Sequence, residues 1–414
     1  MSDRFQVCML SVHTCPLALL GGKETGGMNV YVRELSRELA RRGHRVDVYT
    51  RSQDPSAPRL SEALGRGARV VHLTAGPEHP YDKNRVYDHL GEFVRGLVDQ
   101  AHRDGIRYDL LHSHYWLSGS VARELRERWS VPMMHMFHTL ARMKNSVARR
   151  SEQLEEQERV TEESSIVREA DVLVAATSME RDQLVRLYSA DQARIRVISP
   201  GVDTERFHPM PAGYSKERIG VSPDRLVILF VGRIVPLKGI DTLLRAIGLV
   251  AEKQPELRQQ LCVPIIGGEP DHYRDDEEMA RLQLLKEELG IEEIVTFLGA
   301  RDQEELQYYY SAAEIVVVPS DYESFGMVAL EAMACGTPVI ASDVGGLASL
   351  VKNGRTGYRV AARDPGALAG KIGRLLANEG LRRRIGQRAS CWAEGFAWPR
   401  IADRIEAVYR ELAK

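Results

Sequence analysis

Cysteine is scarce in this sequence and poorly placed for pairing. The five residues, Cys8, Cys15, Cys262, Cys335 and Cys391, show no C-x-x-C spacing. That argues against a disulfide framework or a cysteine-ligated zinc site and fits a reducing cytoplasm. Net charge is nearly absent as well: 56 Lys and Arg stand against 58 Asp and Glu, a formal balance of -2. No global field therefore draws the chain to nucleic acid or to an anionic membrane. Long apolar runs are missing too. Nothing approaches the roughly 18 apolar residues of a membrane span, and the opening MSDRFQVCMLSVHTCP is too briefly apolar to read as a signal peptide. There is no D-x-D at a strand end and no His/Cys cluster at ligand spacing, so no metal site is expected. The acidic run Asp275-Asp276-Glu277-Glu278 reads as a solvated helix start, where negative charge suits the macrodipole.

What is present is an ordinary globular composition, 43% hydrophobic and 28% charged, in a chain long enough for two domains. Residues 7–12 read as a strand, 13–28 as a glycine-rich loop, 29–42 as a helix and 46–49 as a second strand. This is the opening of a doubly wound α/β domain. Its loop glycines, Gly21, Gly22, Gly26 and Gly27, do not keep the G-x-G-x-x-G spacing of a dinucleotide site. The alternation continues through strands at 69–74, 110–112, 132–137, 172–175 and 195–198, with helices at 84–102, 116–129 and 152–169. Pro200, Pro209, Pro211, Gly201 and Gly213 then mark a linker, and the same grammar restarts with a strand at 226–231. The expected domains are 1–208 and 209–398, with a closing helix at about 399–414 that packs back on the first. Two doubly wound halves imply a cleft between them, with ligands at the carboxyl ends of the strands.

The most informative stretch is 316–346, VVVPSDYESFGMVALEAMACGTPVIASDVGG. A buried strand, a polar turn and a helix from about 325 to 334 follow one another, and Gly336 and Pro338 stop the helix. Free backbone N–H groups at such a helix start form a phosphate site. Glu323 before the helix and Glu331 inside it offer acceptors for sugar or ribose hydroxyls. Together they suggest a pocket for a sugar nucleotide. Upstream, GRIVPLKG (232–239) sets Arg233 and Lys238 in a loop after a strand, where two cations could neutralise a diphosphate. The plainer alternative for each is a solvated loop cation or a surface carboxylate.

Gly26-Gly27, His138-Thr139, SPGVD (199–203), GRIVPLKG, and Glu323 with Glu331 in YESFGMVALEAMACGTPVIAS together resemble the retaining glycosyltransferases of family 4, over essentially the whole chain. The resemblance implies the GT-B fold, two Rossmann-like domains facing across a cleft. GGMNVYV (26–32), HSHYWLSG (112–119) and FHTLARMKN (137–145) are similar to the branch that acts on small phosphorylated acceptors. That branch includes inositol-phosphate N-acetylglucosaminyltransferases and sucrose-phosphate synthases; FAWPRIADRIEAVY near the end is closer to the first. The resemblance assigns a catalytic set of His138, Arg233, Lys238 and Glu323. Arg233 and Lys238 would hold the diphosphate, Glu331 the ribose, and Glu323 and His138 the donor sugar. Gly27, Phe325, Gly326, Met327 and Val328 complete the implied donor site, the last three through backbone N–H groups. Asn29, Lys83, Tyr115, Thr139 and Arg159 match acceptor positions, with Lys144 as a further cation. The family has paired arginines near Arg159, whereas this chain has Arg159-Val160.

The implied activity is retaining transfer of a hexosyl group from a UDP-sugar, UDP-GlcNAc or UDP-glucose, to a small phosphorylated acceptor. Inositol phosphate is the first expectation, and transfer of glucose to fructose 6-phosphate is the alternative. The expected partners are the nucleotide sugar and the acceptor, with no cofactor, no essential metal, no nucleic acid and no membrane contact. A non-catalytic nucleotide-sugar sensor and an epimerase remain open at this point, as does a homodimer. The basic run 141–150, with Arg142, Lys144, Arg149 and Arg150, reads as an acceptor loop, a membrane contact or solvated surface, though it lacks the aromatics of an interfacial helix.

Overall fold

The structure is a computed structural model that describes residues 4–18, 25–268 and 277–413. These form two compact units. The first takes the described residues up to Ala18, Gly27–Ser199, and those from Trp398 onward; the second is built on Pro200–Ala397.

The sheet of the first unit has eight strands: β1 (Gln6–Leu10), β2 (Arg45–Arg51), β3 (Leu60–Ser61), β4 (Ala68–Leu73), β5 (Leu110–His114), β6 (Met133–Met136), β7 (Val172–Ala175) and β8 (Ile195–Val197). Their order is β3-β4-β2-β1-β5-β6-β7-β8, parallel except at the β3–β4 edge. Every residue of β5, β6 and β7 is buried, as expected for parallel strands covered by helices on both faces. The helix Gly27–Arg41 buries Val30, Leu35 and Leu39. The closing helix Trp398–Leu412 belongs to this unit. Arg42 reaches from the end of Gly27–Arg41 to Asp403 at 2.6 Å and to the Pro399 carbonyl at 2.6 Å, and the Tyr409 hydroxyl meets His112 Nδ1 at 2.7 Å.

The second unit has six parallel strands: β9 (Leu226–Val231), β10 (Leu261–Ile266), β11 (Val295–Gly299), β12 (Ile315–Val318), β13 (Val339–Ser342) and β14 (Gly357–Val360), ordered β11-β10-β9-β12-β13-β14. In each sheet the winding reverses beside the first strand, between β1 and β5 and between β9 and β12. Successive connections leave those points on opposite faces, so the loops part and open a crevice at the carboxyl ends.

Several local expectations change. The helix expected over 152–169 starts only at Gln157, because Leu154 and Glu156 are extended. The basic run 141–150, for which an acceptor loop is one of three readings, contains the helix Ala141–Val147. The proline- and glycine-marked linker runs into the helix Ala212–Arg218, whose Lys216 is buried against Glu314 at 2.9 Å. The strand β14 carried no separate sequence signal. Gly21, Gly22, Asp275 and Asp276 lie outside the described residues; Glu278, at the start of Glu277–Glu288, pairs with Arg281 at 2.8 Å. Among the described residues no helix is long and apolar enough to cross a membrane.

Candidate functional site

In the second unit, both sequence-selected loops leave the sheet at its switch point. Arg233 and Lys238 follow β9, and Glu323 follows β12. The loops are tied together: the Asp321 N–H donates to the Leu237 carbonyl at 2.9 Å, and Lys238 Nζ meets Glu323 Oε2 at 2.5 Å. Glycines permit this close approach. Gly239 has φ +66°, and a Cβ there would sit 2.1 Å from the Pro319 carbonyl oxygen. Gly345 and Gly346 clasp the other side, where the Gly346 N–H donates to the Glu323 carbonyl at 2.7 Å and a Cβ on Gly345 would lie 1.9 Å from that oxygen. Lys238 and Glu323 stay partly exposed, at 19% and 17%, so the pair remains reachable by a ligand.

The helix Met327–Ala334 begins beside this pair. Its N-cap, Gly326 at φ +104°, has no side chain to cap the first turn, which leaves the backbone N–H groups of Met327 and Val328 open to an anion. Glu331, one turn on, is buried and oriented by the Tyr310 hydroxyl at 2.8 Å and Gln303 Nε2 at 3.5 Å. Burial and the Glu331 carboxylate push the Tyr310 phenol well above its ordinary value, so it stays a donor. The Phe325 side chain is buried and packs near Phe396. Arg233 is half-buried in the same loop as Lys238. Gly27 is the donor candidate that this cluster does not include: it is the exposed first residue of Gly27–Arg41, in the other unit.

In the first unit, Tyr115 follows β5 and His138 follows β6, on adjacent strands. Both hold left-handed backbone, φ +72° and +60°. A side chain held in that conformation costs energy and tends to persist where function uses it. His138 Nε2 meets His114 Nδ1 at 3.0 Å, and both rings lie against Tyr31. Burial pushes the His138 imidazole down to about 3, so near neutrality it is an uncharged hydrogen-bonding group and a poor base.

Three acceptor candidates meet directly. Arg159 donates to the Tyr115 hydroxyl at 3.0 Å, and to the Thr139 carbonyl and hydroxyl at 3.0 and 3.1 Å. Its Nε donates to Glu163 at 2.8 Å, and Nη1 pairs with Glu155 at 2.8 Å. Burial opposes its charge, but Tyr115 and Glu163 outweigh that and hold the guanidinium above its ordinary value. Lys144 also pairs with Glu155. Asn29 is buried and spends its amide N–H groups on the Thr14 hydroxyl at 2.7 Å and the Cys15 carbonyl at 2.8 Å, so its side chain fixes the loop after β1. Lys83 is half-buried, next to Asn84, whose amide reaches Glu156 at 3.1 Å. That contact ties the Lys83 loop to the segment carrying Glu155. Arg142 of the basic run lies over the Tyr188 ring at 4.9 Å.

Sequence reasoning missed Glu155, Glu163, Tyr310, His114 and the glycine clasp. Two of these had a signal. Glu163 stands four residues after Arg159, one helical turn away, and His112 and His114 alternate along one face of a strand. The clasp had none, because it joins residues distant in sequence, Gly239 to Pro319 and Gly345 and Gly346 to Glu323.

Comparison with known proteins fits this geometry. Residues 25–206 match the family described as Glycosyltransferase Family 4, and residues 215–392 match Glycosyl transferases group 1. A D-inositol 3-phosphate glycosyltransferase of Actinosynnema mirum is 42% identical over 407 residues, covering 98% of this chain and 96% of the relative. Its counterpart in Corynebacterium jeikeium is 41% identical over 410 residues, covering 98% and 97%. The sucrose-phosphate synthase of Thermosynechococcus elongatus superposes with a TM-score of 0.91 at 34% identity, covering 99% of each chain. HepE of Anabaena, solved with UDP-glucose, shares the fold at a TM-score of 0.75 and 20% identity, covering 99% of this chain and all of that one.

Proposed function

The chain belongs to the family 4 glycosyltransferases, and from that premise we propose that it transfers a hexosyl group, with retention, from a UDP-sugar to a small phosphorylated polyol, inositol phosphate first. The observation that carries the reading is the Lys238–Glu323 pair at the switch point, set beside the uncapped start of Met327–Ala334. A diphosphate seated there gains two loop cations, Arg233 and Lys238, and open backbone N–H groups. The fixed Glu331 carboxylate accepts from the ribose hydroxyls. Glu323 holds Lys238 and accepts from a sugar hydroxyl, and neutral His138 hydrogen-bonds the sugar.

In the proposed step the acceptor hydroxyl oxygen bonds to the anomeric carbon on the face the nucleotide leaves. The bond from that carbon to the diphosphate oxygen breaks, and UDP departs with the electron pair. The acceptor proton passes to the departing phosphate, so no protein nucleophile is required. Lys238 and Arg233 act by stabilising charge that develops on the leaving group. The second unit supplies the donor seat and the first the acceptor seat, at Tyr115, Thr139, Arg159, Lys144 and Lys83. The reaction as drawn uses protein cations where other transferases use a metal, and no cofactor enters it.

The test is UDP or GDP release from UDP-GlcNAc, UDP-glucose and GDP-mannose, each with inositol phosphate, fructose 6-phosphate or no acceptor, with product masses read in parallel. Release from UDP-GlcNAc that requires inositol phosphate is the expected result. The similarity to a sucrose-phosphate synthase favours a second reading, glucose transfer to fructose 6-phosphate, which release in that combination alone would establish. Nucleotide binding without turnover in any combination would overturn the transferase in favour of a sensor. Isomerised donor without an acceptor would indicate an epimerase.

A further inference from the structure

Resting on the acceptor seat just described, the geometry points to Glu155 as an internal occupant of the place where the acceptor's phosphate must sit. Arg159 has three nitrogens and five N–H groups, and five acceptor atoms surround it: Glu163 Oε1, Tyr115 Oη, Glu155 Oε2, and the carbonyl and hydroxyl oxygens of Thr139. A guanidinium has no further donor to give. An anionic substrate can therefore reach Arg159 only by displacing one of these groups.

Glu163 cannot yield easily. It is fully buried, and besides Arg159 it takes the Ala141 N–H at 2.9 Å and the Tyr188 hydroxyl. Tyr115 and Thr139 are neutral, and the resemblance already counts them as ligand groups. Glu155 differs on every count. Its carboxylate bridges Arg159 and Lys144, two of the three cations placed at this seat, and is 6% exposed. It lies just before the helix Gln157–Glu169, in a segment held extended between Leu154 and Glu156. The Glu155 N–H donates to Asn145 Oδ1 at 2.7 Å, so the backbone is anchored from the same short helix that carries Lys144. A mono-anion thus sits where a phosphate dianion would make the same two contacts with more charge.

Two consequences follow. The free protein keeps its acceptor cations neutralised, which avoids burying an unpaired Arg159. The seat also becomes selective, because a neutral polyol gains nothing from Lys144 and Arg159 that would repay expelling Glu155, while a phosphate ester does.

Glu155→Gln keeps the shape and removes the competing charge. Isothermal titration with inorganic phosphate and with glycerol phosphate reads the effect directly, without turnover. If the carboxylate fills the seat in about nine of ten free molecules, the variant should bind both probes about tenfold more tightly. Unchanged or weaker binding in the variant would overturn the inference, since it would make Glu155 a support for the two cations. Glu155→Asp, one methylene shorter, should also tighten binding and covers the case in which the first variant fails to fold; melting temperature and UDP affinity check folding. Failure of the wider reading looks different: neither the wild type nor either variant would bind phosphate probes at all, while UDP still bound.

Discussion

Lys144 in the first unit and Lys238 in the second each pair with a glutamate, but in different surroundings. Around Lys144 the proposed anion seat is made of side chains: Arg159 bonds Glu155, Tyr115 and Thr139, and Glu163 anchors the set from the core. Around Lys238 the proposed seat adds backbone to its side chains: the uncapped N-terminus of Met327–Ala334 and glycines at 239, 345 and 346 that let loops touch. Backbone N–H groups, unlike Lys238 beside Glu323, carry no charge for a side chain to neutralise, and they suit an invariant group such as a diphosphate. A side-chain seat can be filled, emptied and varied, which suits the substrate that differs among relatives.

The largest effect that would break this comparison lies at Lys238. Lys238→Ala should lower turnover by about a thousandfold, the scale of losing one preorganised charge at a developing anion, with the melting temperature little changed; near-wild-type turnover would remove the diphosphate assignment. Next comes Glu163→Gln, which leaves the buried Arg159 partly unpaired. A loss of about 3 kcal/mol in chemical denaturation is expected, with UDP affinity kept, because the cost falls on the first unit.

The smallest single-residue effect lies in a pH dependence that separates the units. His112, His114, His135 and His138 of the first unit are pushed down by burial, His112 and His138 to about 3. Unfolded, they would bind protons below about pH 6.5. The contribution of these histidines is therefore complete above that pH and is lost as pH falls toward 3, since at these four sites only the unfolded chain takes up protons in that window. For His112 alone the loss at pH 5 is about 2 kcal/mol. Thermal melts from pH 7 to pH 5 should show the first unit failing first, and His112→Asn should flatten the slope; a pH-independent melt would contradict it.

Most of the alternation of strands and helices, and the position of Glu323, Glu331, Arg233 and Lys238 along it, were legible in the sequence, because each depends on local periodicity and turn residues; β3, β14 and the helix Ser178–Tyr188 were not. The edge of the helix at Gln157 was not. Residues 152–156 have helical composition, but after the 3-10 turn Ser151–Gln153 the chain runs extended at Leu154 and Glu156, where Glu155 contacts Lys144, Asn145 and Arg159. The role of Asn29 was likewise hidden, since its hydrogen bonds run to Thr14 and Cys15 across the loop. Long-range partners override propensity at the places where the candidate site is built.

The most direct measurement of the division of labour is a pair of titrations, UDP and glycerol phosphate, into the wild type, Lys144→Ala and Lys238→Ala. The account predicts that Lys238→Ala loses UDP affinity and keeps phosphate affinity, while Lys144→Ala does the reverse. Loss of UDP binding in Lys144→Ala, or loss of phosphate binding in Lys238→Ala alone, would contradict it.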